Sequence, residues 1–256
     1  MADIYRIYGN ELSPYSVKVR SYLRYKDIPH QWIVRTPAVE EEFGRYAKLP
    51  LIPLVVTPDG RGLQDSTPIV EQLEQIFPEP SIHPEDAALR FLSFLIEEYA
   101  DEWGNKPMFH YRWFYAPNQQ SAGERLARSM MPDLGEEQIA GGIEMIKSRM
   151  IPRLKFVGSS EQTKAQIEGS FERQLAILEA HLAQRPYLFG GRPVLADFAW
   201  YAQLYECLSD PTPGAVMRQR APRVVGWCER MLTPDRQGEL EPWQALSPTL
   251  TPLLRD

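Results

Sequence analysis

Cysteine is scarce in this chain: there are two in 256 residues, Cys207 and Cys228, at a spacing that matches no metal-binding motif. Both fall on segments that read as helical and are expected to be small buried apolar residues rather than to play a redox role. The four histidines, His30, His83, His110 and His181, stand singly, so no metal site is expected. Long apolar runs are missing as well, and none approaches the ~20 residues of a membrane-spanning helix. Met1-Ala2-Asp3 carries neither a basic region nor a signal-like apolar stretch. Neither sign of charge dominates, with 34 Asp and Glu against 28 Lys and Arg, and no polybasic tail is present. The expectation is a soluble, cytoplasmic protein that binds neither nucleic acid nor membrane. What the chain has in quantity is apolar side chains, 43% of its residues, enough for a sizeable core in one large domain or two smaller ones.

Ile4 to Tyr8 reads as a short strand. The helix after it carries Tyr15, Val19, Tyr22 and Leu23 on one face and Lys18, Arg20, Arg24 and Lys26 on the other. Gln31 to Arg35 reads as a second strand, Glu40 to Lys48 as a short helix and Leu54 to Val56 as a third strand. Pro58-Asp59-Gly60-Arg61-Gly62 has hairpin turn chemistry leading into a fourth strand that ends near Gln64. Ile69, Leu73, Ile76 and Phe77 then mark a buried helix face. This β-α-β-α-β-β-α order is the α/β thioredoxin-like arrangement, assigned to residues 1–78. Pro78-Glu79-Pro80 and Pro84 mark a linker over 79–87. Residues 88–256 show helical stripes, such as Leu92-Ile96-Tyr99-Trp103 and Phe198-Tyr201-Ala202-Tyr205, and are expected to form an all-helical bundle. Asn118 to Ser160 is Met-rich and less regular, with helices expected but no boundaries assigned.

Three short elements carry candidate chemistry. Ser13-Pro14-Tyr15-Ser16 opens the first helix, with Ser13 in a capping position and Pro14 at the first helical residue. Ile52-Pro53 enters the third strand. Asp65-Ser66-Thr67-Pro68 has the composition of a helix N-terminus, whose free N–H groups can hold a carboxylate. Capping alone would explain the first and third.

Together, and in this order, the elements resemble those of the cytosolic glutathione transferase superfamily. Ser13 to Arg20 is similar to the serine-type active-site turn of its tau, theta and zeta classes. The resemblance implies that Ser13 meets the glutathione sulfur, with Ser16, Tyr15 and Tyr8 as rivals. A free thiol titrates near ~8.5. Lowering that by about two units takes roughly 2.7 kcal/mol of thiolate stabilisation, within reach of a hydroxyl assisted by helix-start N–H groups. The resemblance further implies a cis Ile52-Pro53 bond whose preceding residue pairs with the cysteinyl part of glutathione. It assigns Asp65 to the γ-glutamyl ammonium and Ser66 to the carboxylate. The family often has lysine or glutamine two or three positions before the proline, where this chain has Pro50 and Leu51, with Lys48 further back.

Later, Leu188 to Phe198 resembles the motif opening the family's buried C-terminal helix, in which Asp197 is structural. Val194 stands where a capping Ser or Thr is usual. That loss costs on the order of 1 kcal/mol unless Gly190, Gly191 or Arg192 compensates.

Trp103 to Tyr115 is dense in aromatics. Tyr15, Tyr99, Trp103, Phe109, His110 and Trp113 are the candidate walls of a second-substrate pocket, the alternative being core or dimer interface. Glu97, Glu98, Asp101 and Glu102 are read as a solvated face. The function expected is transfer of the glutathione thiolate to an apolar electrophile, a detoxification chemistry, with glutathione as cosubstrate and no metal. A homodimer is implied by the resemblance. The alternative is a non-catalytic binding or interaction module on the same fold. Redox exchange is disfavoured because Ser13 and Ser16 occupy the positions of a Cys-x-x-Cys pair.

Overall fold

Strand β1 (Tyr5–Gly9) lies inside the sheet, parallel to β2 (His30–Val34) on one side and antiparallel to β3 (Leu54–Val56) on the other. β4 (Gly62–Gln64) completes the order β2-β1-β3-β4. The structure, a computed structural model, describes residues 4–255. Because side chains alternate across a sheet, β1 sends Tyr5 and Ile7 into the main core and Tyr8 to the opposite face. There Tyr8 packs with Phe43, Leu54 and Val56 under the short helix α2 (Glu40–Tyr46). The two other helices of this half are α1 (Pro14–Tyr25) and α3 (Ser66–Ile76). The thioredoxin-like order expected from the sequence is therefore present, with a single 3-10 turn, Pro37–Val39, added before α2.

The rest is helical: α4 (Ala87–Tyr99), a π-helical stretch (Ala100–Gly104), α5 (Asn105–Phe114), α6 (Ala116–Met130), α7 (Glu136–Met150), a 3-10 stretch (Ile151–Val157), α8 (Lys164–His181), α9 (Leu195–Ser209), α10 (Pro211–Arg220), α11 (Pro222–Arg230) and α12 (Trp243–Arg255). The irregular Asn118–Ser160 region thus resolves into most of α6, all of α7 and the 3-10 stretch. α6 and α7 lie against one another around a small core of their own, made of Ala127, Ile139 and Ile143 with Met131 and Ile146 against it. No described helix is long and apolar enough to cross a membrane, and Cys207 and Cys228 are both buried and free.

α9 is the axis of the helical half and is buried on nearly every side. Asp197 holds its start: its carboxylate accepts from Leu188 N (2.8 Å), Val194 N (3.0 Å) and Trp227 Nε1 (3.1 Å). Val194 has no side-chain acceptor to return. The neighbouring amides are satisfied from outside instead, Leu195 N by Ile82 O (3.1 Å) and Ala196 N by Ser93 Oγ of α4 (3.2 Å). These two, not Gly190, Gly191 or Arg192, supply acceptors to the first amides of the helix.

The basic face of α1 is not solvated. It is wedged between the sheet and α9, with the Tyr22 and Tyr25 rings edge-on to Phe198 at 5.9 and 5.6 Å. Lys18, Arg20 and Lys26 are consequently buried, and only Arg24 of the four stays exposed. Each buried cation has an acidic partner: Glu97 and Asp101 for Lys18, Glu11 for Arg20 and Glu74 for Lys26. Glu97 and Asp101 are likewise not a solvated face, since they turn inward to meet Lys18.

Candidate functional site

Sheet register gathers the three sequence elements at one end. Tyr8 stands opposite Leu54, and Leu54 opposite Gln64. The turn after β1, Pro53 before β3 and Asp65 after β4 therefore emerge from the same edge. The Ile52–Pro53 bond is cis, as the resemblance implies. Ile52 is half-buried and Pro53 buried.

Ser13 caps α1 with an extended backbone (φ −111, ψ 112), and its Oγ accepts from Ser16 N at 3.3 Å. Its side chain is partly exposed, leaving the O–H free to point outward. The rivals are less accessible. Ser16 is fully buried and packs where Gly9 passes closely, since a Cβ on Gly9 would come within 3.0 Å of the Ser16 hydroxyl and 2.7 Å of the Trp32 ring. Tyr8 is fully buried edge-on to Phe43, and burial pushes its phenol up to about 12.

Asp65 adopts a positive φ of 72° with ψ 129°, uncommon for a residue with a Cβ. Its exposed carboxylate makes no capping bond to α3. The first intrahelical bond, Ile69 N–H to Asp65 O at 2.9 Å, leaves the Ser66 and Thr67 amides ahead of it as unused donors at a positive helix end. A free carboxylate beside free N–H groups suits a ligand end that carries both an ammonium and a carboxylate.

A residue not singled out in the sequence holds this edge together. Gln64 Oε1 accepts from Lys48 N (2.7 Å) and Leu49 N (3.0 Å), while its Nε2 donates to Leu49 O (2.8 Å) and Leu51 O (2.9 Å). Arg35 adds a bond to Pro50 O at 2.8 Å. Together they brace the loop before Pro53. Its position directly before Asp65-Ser66 was the available signal, but amide pairing with backbone across a fold leaves no sequence pattern.

Beneath the site, Lys18 Nζ meets Thr67 Oγ1 (2.9 Å), Glu97 Oε1 (2.6 Å) and Asp101 Oδ2 (2.7 Å). Thr67 Oγ1 also donates to Glu97 at 2.6 Å. This charge cluster joins α1, the first turn of α3, α4 and the π-helical stretch. Burial pushes the Asp101 carboxyl up and the Lys18 ammonium pulls it back. The Tyr15 hydroxyl donates to Asp101 O at 3.3 Å. Burial first, and then the charges of Asp101, Glu102 and Asp65, hold its proton on.

The helical half also reaches the Ser13 turn directly. Arg112 Nη1 donates to Leu12 O (2.9 Å) while its other nitrogens are held by Asp210 (2.7 Å) and Glu206 (2.6 Å) in a buried network. Tyr205 OH donates to Glu11 at 2.8 Å, and Asn10 Nδ2 to Ser129 Oγ at 3.3 Å.

The aromatic candidates are dispersed. Tyr99 OH accepts from Gln174 and its ring lies on Trp200. Trp103 donates to Ser170 and lines an open depression of about 430 Å³ with Leu95, Tyr99, Glu102 and Lys106. Phe109 packs on Trp113, which is buried. His110 is fully buried, with Nδ1 2.7 Å from Ser159 Oγ and Nε2 3.2 Å from Glu168, and burial lowers its basicity. Tyr15 adjoins Ser13 in the first turn of α1.

Comparison with known proteins shows the family to which this fold belongs. The family model "Glutathione S-transferase, N-terminal domain" matches residues 7–81, and "Glutathione S-transferase, C-terminal domain" matches residues 161–230. The isoprene-epoxide–glutathione S-transferase of a Rhodococcus species is 24% identical over 230 residues, covering 86% of this chain and 92% of that protein. The β-etherase LigF of a Sphingobium species is 19% identical with a TM-score of 0.61, covering 90% of this chain and 95% of that one. A Methylobacterium radiotolerans glutathione S-transferase in complex with glutathione sulfonate is 23% identical with a TM-score of 0.55, covering 89% and 90%. With the sheet half and the α8–α11 region each matched by its own model, the chain belongs to the cytosolic glutathione S-transferase superfamily.

Proposed function

We propose that this enzyme is a transferase in which Ser13 holds the glutathione thiolate for attack on a small apolar electrophile. The observation that carries the reading is the single sheet edge shared by the Ser13 turn, Pro53 and Asp65-Ser66. Ser13 is the partly exposed hydroxyl at the helix start, whereas Ser16 and Tyr8 are enclosed. Asp65 and the free amides of Ser66 and Thr67 would take the γ-glutamyl end, and the Ile52 backbone the cysteinyl portion. Ser13 and the positive end of α1 favour the ionised thiol, and anchoring both ends adds proximity. The Rhodococcus relative is named for an epoxide acceptor. An epoxide is the acceptor class we assign here: a C–S bond forms, a ring C–O bond breaks, and the alkoxide collects the proton the thiol gave up.

The same reading divides the chain into a glutathione-binding domain (1–78), a linker (79–87) and a helical domain (88–256). It places the protein in the cytoplasm, where glutathione is reduced, in a detoxifying role. It also takes the protein as a homodimer. The outer face of α4 exposes Phe91 (64%), Phe94 (36%) and Leu95 (45%), an apolar stripe that suits a second copy.

Calorimetric titration of reduced glutathione into wild type, Asp65→Ala and Ser13→Ala tests the assignment. Binding lost in Asp65→Ala and largely kept in Ser13→Ala, with epoxide turnover lost in both, is the expected outcome. No binding to wild type at millimolar glutathione would overturn it in favour of an interaction module.

A further inference from the structure

The turn that presents Ser13 is built almost entirely by Asn10. Asn10 Oδ1 accepts from Leu12 N (2.9 Å), an Asx turn, and Asn10 O accepts from Ser13 N (3.1 Å). Both bonds fix the backbone immediately before the cap. The remaining amide group of Asn10, Nδ2, leaves the sheet half altogether and donates to Ser129 Oγ on α6, 119 residues away. Asn10 is 5% exposed, so a lost partner is not freely replaced by water.

α6 is placed to act on this turn with some independence. Its Ala127 belongs to the small separate core shared with α7, and residues 116–157 lie outside both matched family regions. Asn118, Ala122, Arg125 and Ser129 recur at helical spacing. Of these, Asn118 accepts from Thr212 N at 3.0 Å, Arg125 pairs with Asp210, and Ser129 reaches Asn10. Asp210 in turn holds Arg112, whose guanidinium bonds the Leu12 carbonyl. Two struts from the helical half therefore converge on successive links of one turn, and both pass through side chains that meet α6 or its partners.

We propose that Asn10 and Ser129 are positioning residues for thiol activation: α6 sets the placement of the Ser13 hydroxyl through the Ser129–Asn10 hydrogen bond. The inference rests on the proposed role of Ser13, but its structural half does not need glutathione. Neither residue is assigned a contact with the sulfur. Their effect is on where the Ser13 oxygen stands: displacing that hydroxyl by a fraction of an ångström weakens its charge-assisted bond to a thiolate more than its bond to a neutral thiol.

The test compares wild type, Ser129→Ala and Ser129→Thr by two readouts. Amide hydrogen exchange in the ligand-free protein reads the turn itself. Ser129→Ala is expected to speed exchange at Leu12 and Ser13 about fivefold, the effect of one lost hydrogen bond, while Ser129→Thr restores protection. Ultraviolet titration of the bound thiol reads the chemistry. Ser129→Ala is expected to raise the thiol pKa and shift the pH–rate profile with it, lowering kcat/KM about fivefold with glutathione affinity within twofold of wild type. Unchanged exchange at residues 12 and 13 in Ser129→Ala overturns the strut. Altered exchange with an unchanged thiol pKa overturns its link to activation. Failure of wild type to bind glutathione instead brings down the transferase reading and, with it, the link to activation.

Discussion

The Lys18 ammonium and the Glu97 carboxylate meet at 2.6 Å with both side chains buried, joining the first helix to the first helix of the helical half. Asp101 at 2.7 Å and Thr67 at 2.9 Å complete the shell around the cation. A cluster of this kind adds little over apolar packing, but breaking it is costly because the remaining charges stay buried. Lys18→Met is expected to lower the unfolding free energy by about 3–5 kcal/mol in urea denaturation. Adding Glu97→Gln and Asp101→Asn should recover more than half of that loss.

Asp65 pays in backbone strain for the direction of its carboxylate, with φ at 72°. Asp65→Gly is expected to raise stability by about 1 kcal/mol, since relief of an unfavourable φ outweighs the added freedom of the unfolded chain. Glutathione binding should weaken at least about tenfold in the same variant, by loss of a charge-assisted hydrogen bond. Denaturation and calorimetry on one preparation separate the two effects.

Ser93 is buried, and its Oγ satisfies the Ala196 amide. Ser93→Ala leaves that N–H without an acceptor and is expected to cost about 1–3 kcal/mol in chemical denaturation. Glutathione affinity should be unaffected, because the residue lies behind α9 rather than at the sheet edge.

His181 sets a pH dependence. Its Nε2–H donates to Leu188 O (2.7 Å), and Nδ1 sits 2.8 Å from Thr249 Oγ1 and 3.1 Å from Arg185 Nη1, with Glu241 beyond the guanidinium. Burial first, and then Arg185, lowers its pKa from 6.5 to about 4. The unfolded chain takes up the proton first on acidification, so stability is complete above about 6.5 and declines as pH falls to about 4. The loss is on the order of 3 kcal/mol. Glu206, pushed up to about 7 by burial, works in the opposite sense as pH rises, so the slope is read as a difference between proteins. His181→Gln is expected to flatten it between pH 4 and 6.5 in denaturation series.

The exposed α4 stripe predicts the state of association. Phe91→Asp combined with Leu95→Arg should convert a dimer to a monomer in sedimentation velocity. Circular dichroism should be unchanged, since both residues are exposed in the single chain.

Legibility in the sequence followed range. Ser13-Pro14 and Asp65-Ser66 are helix starts written in adjacent residues, and the sheet order follows from alternation and turn chemistry over short spans. Pairings across the fold left no such trace. Lys18 and Glu97 are 79 residues apart and Asn10 and Ser129 are 119 apart, so nothing adjacent in the sequence marks either pair. The aromatic segment is divided for a related reason. A helix distributes successive rings around its axis, and α5 spends His110 and Trp113 on interior packing rather than on one wall.

The outside acceptors on α9 bear on how the molecule comes together. Its first amides end on Ile82, from the chain just after the sheet half, and on Ser93, from α4. The start of this buried helix is thus finished only when chain from more than 100 residues earlier has docked against it. A fragment starting after Ile82 would keep the Ser93 and Asp197 bonds but leave the buried Leu195 amide without its acceptor.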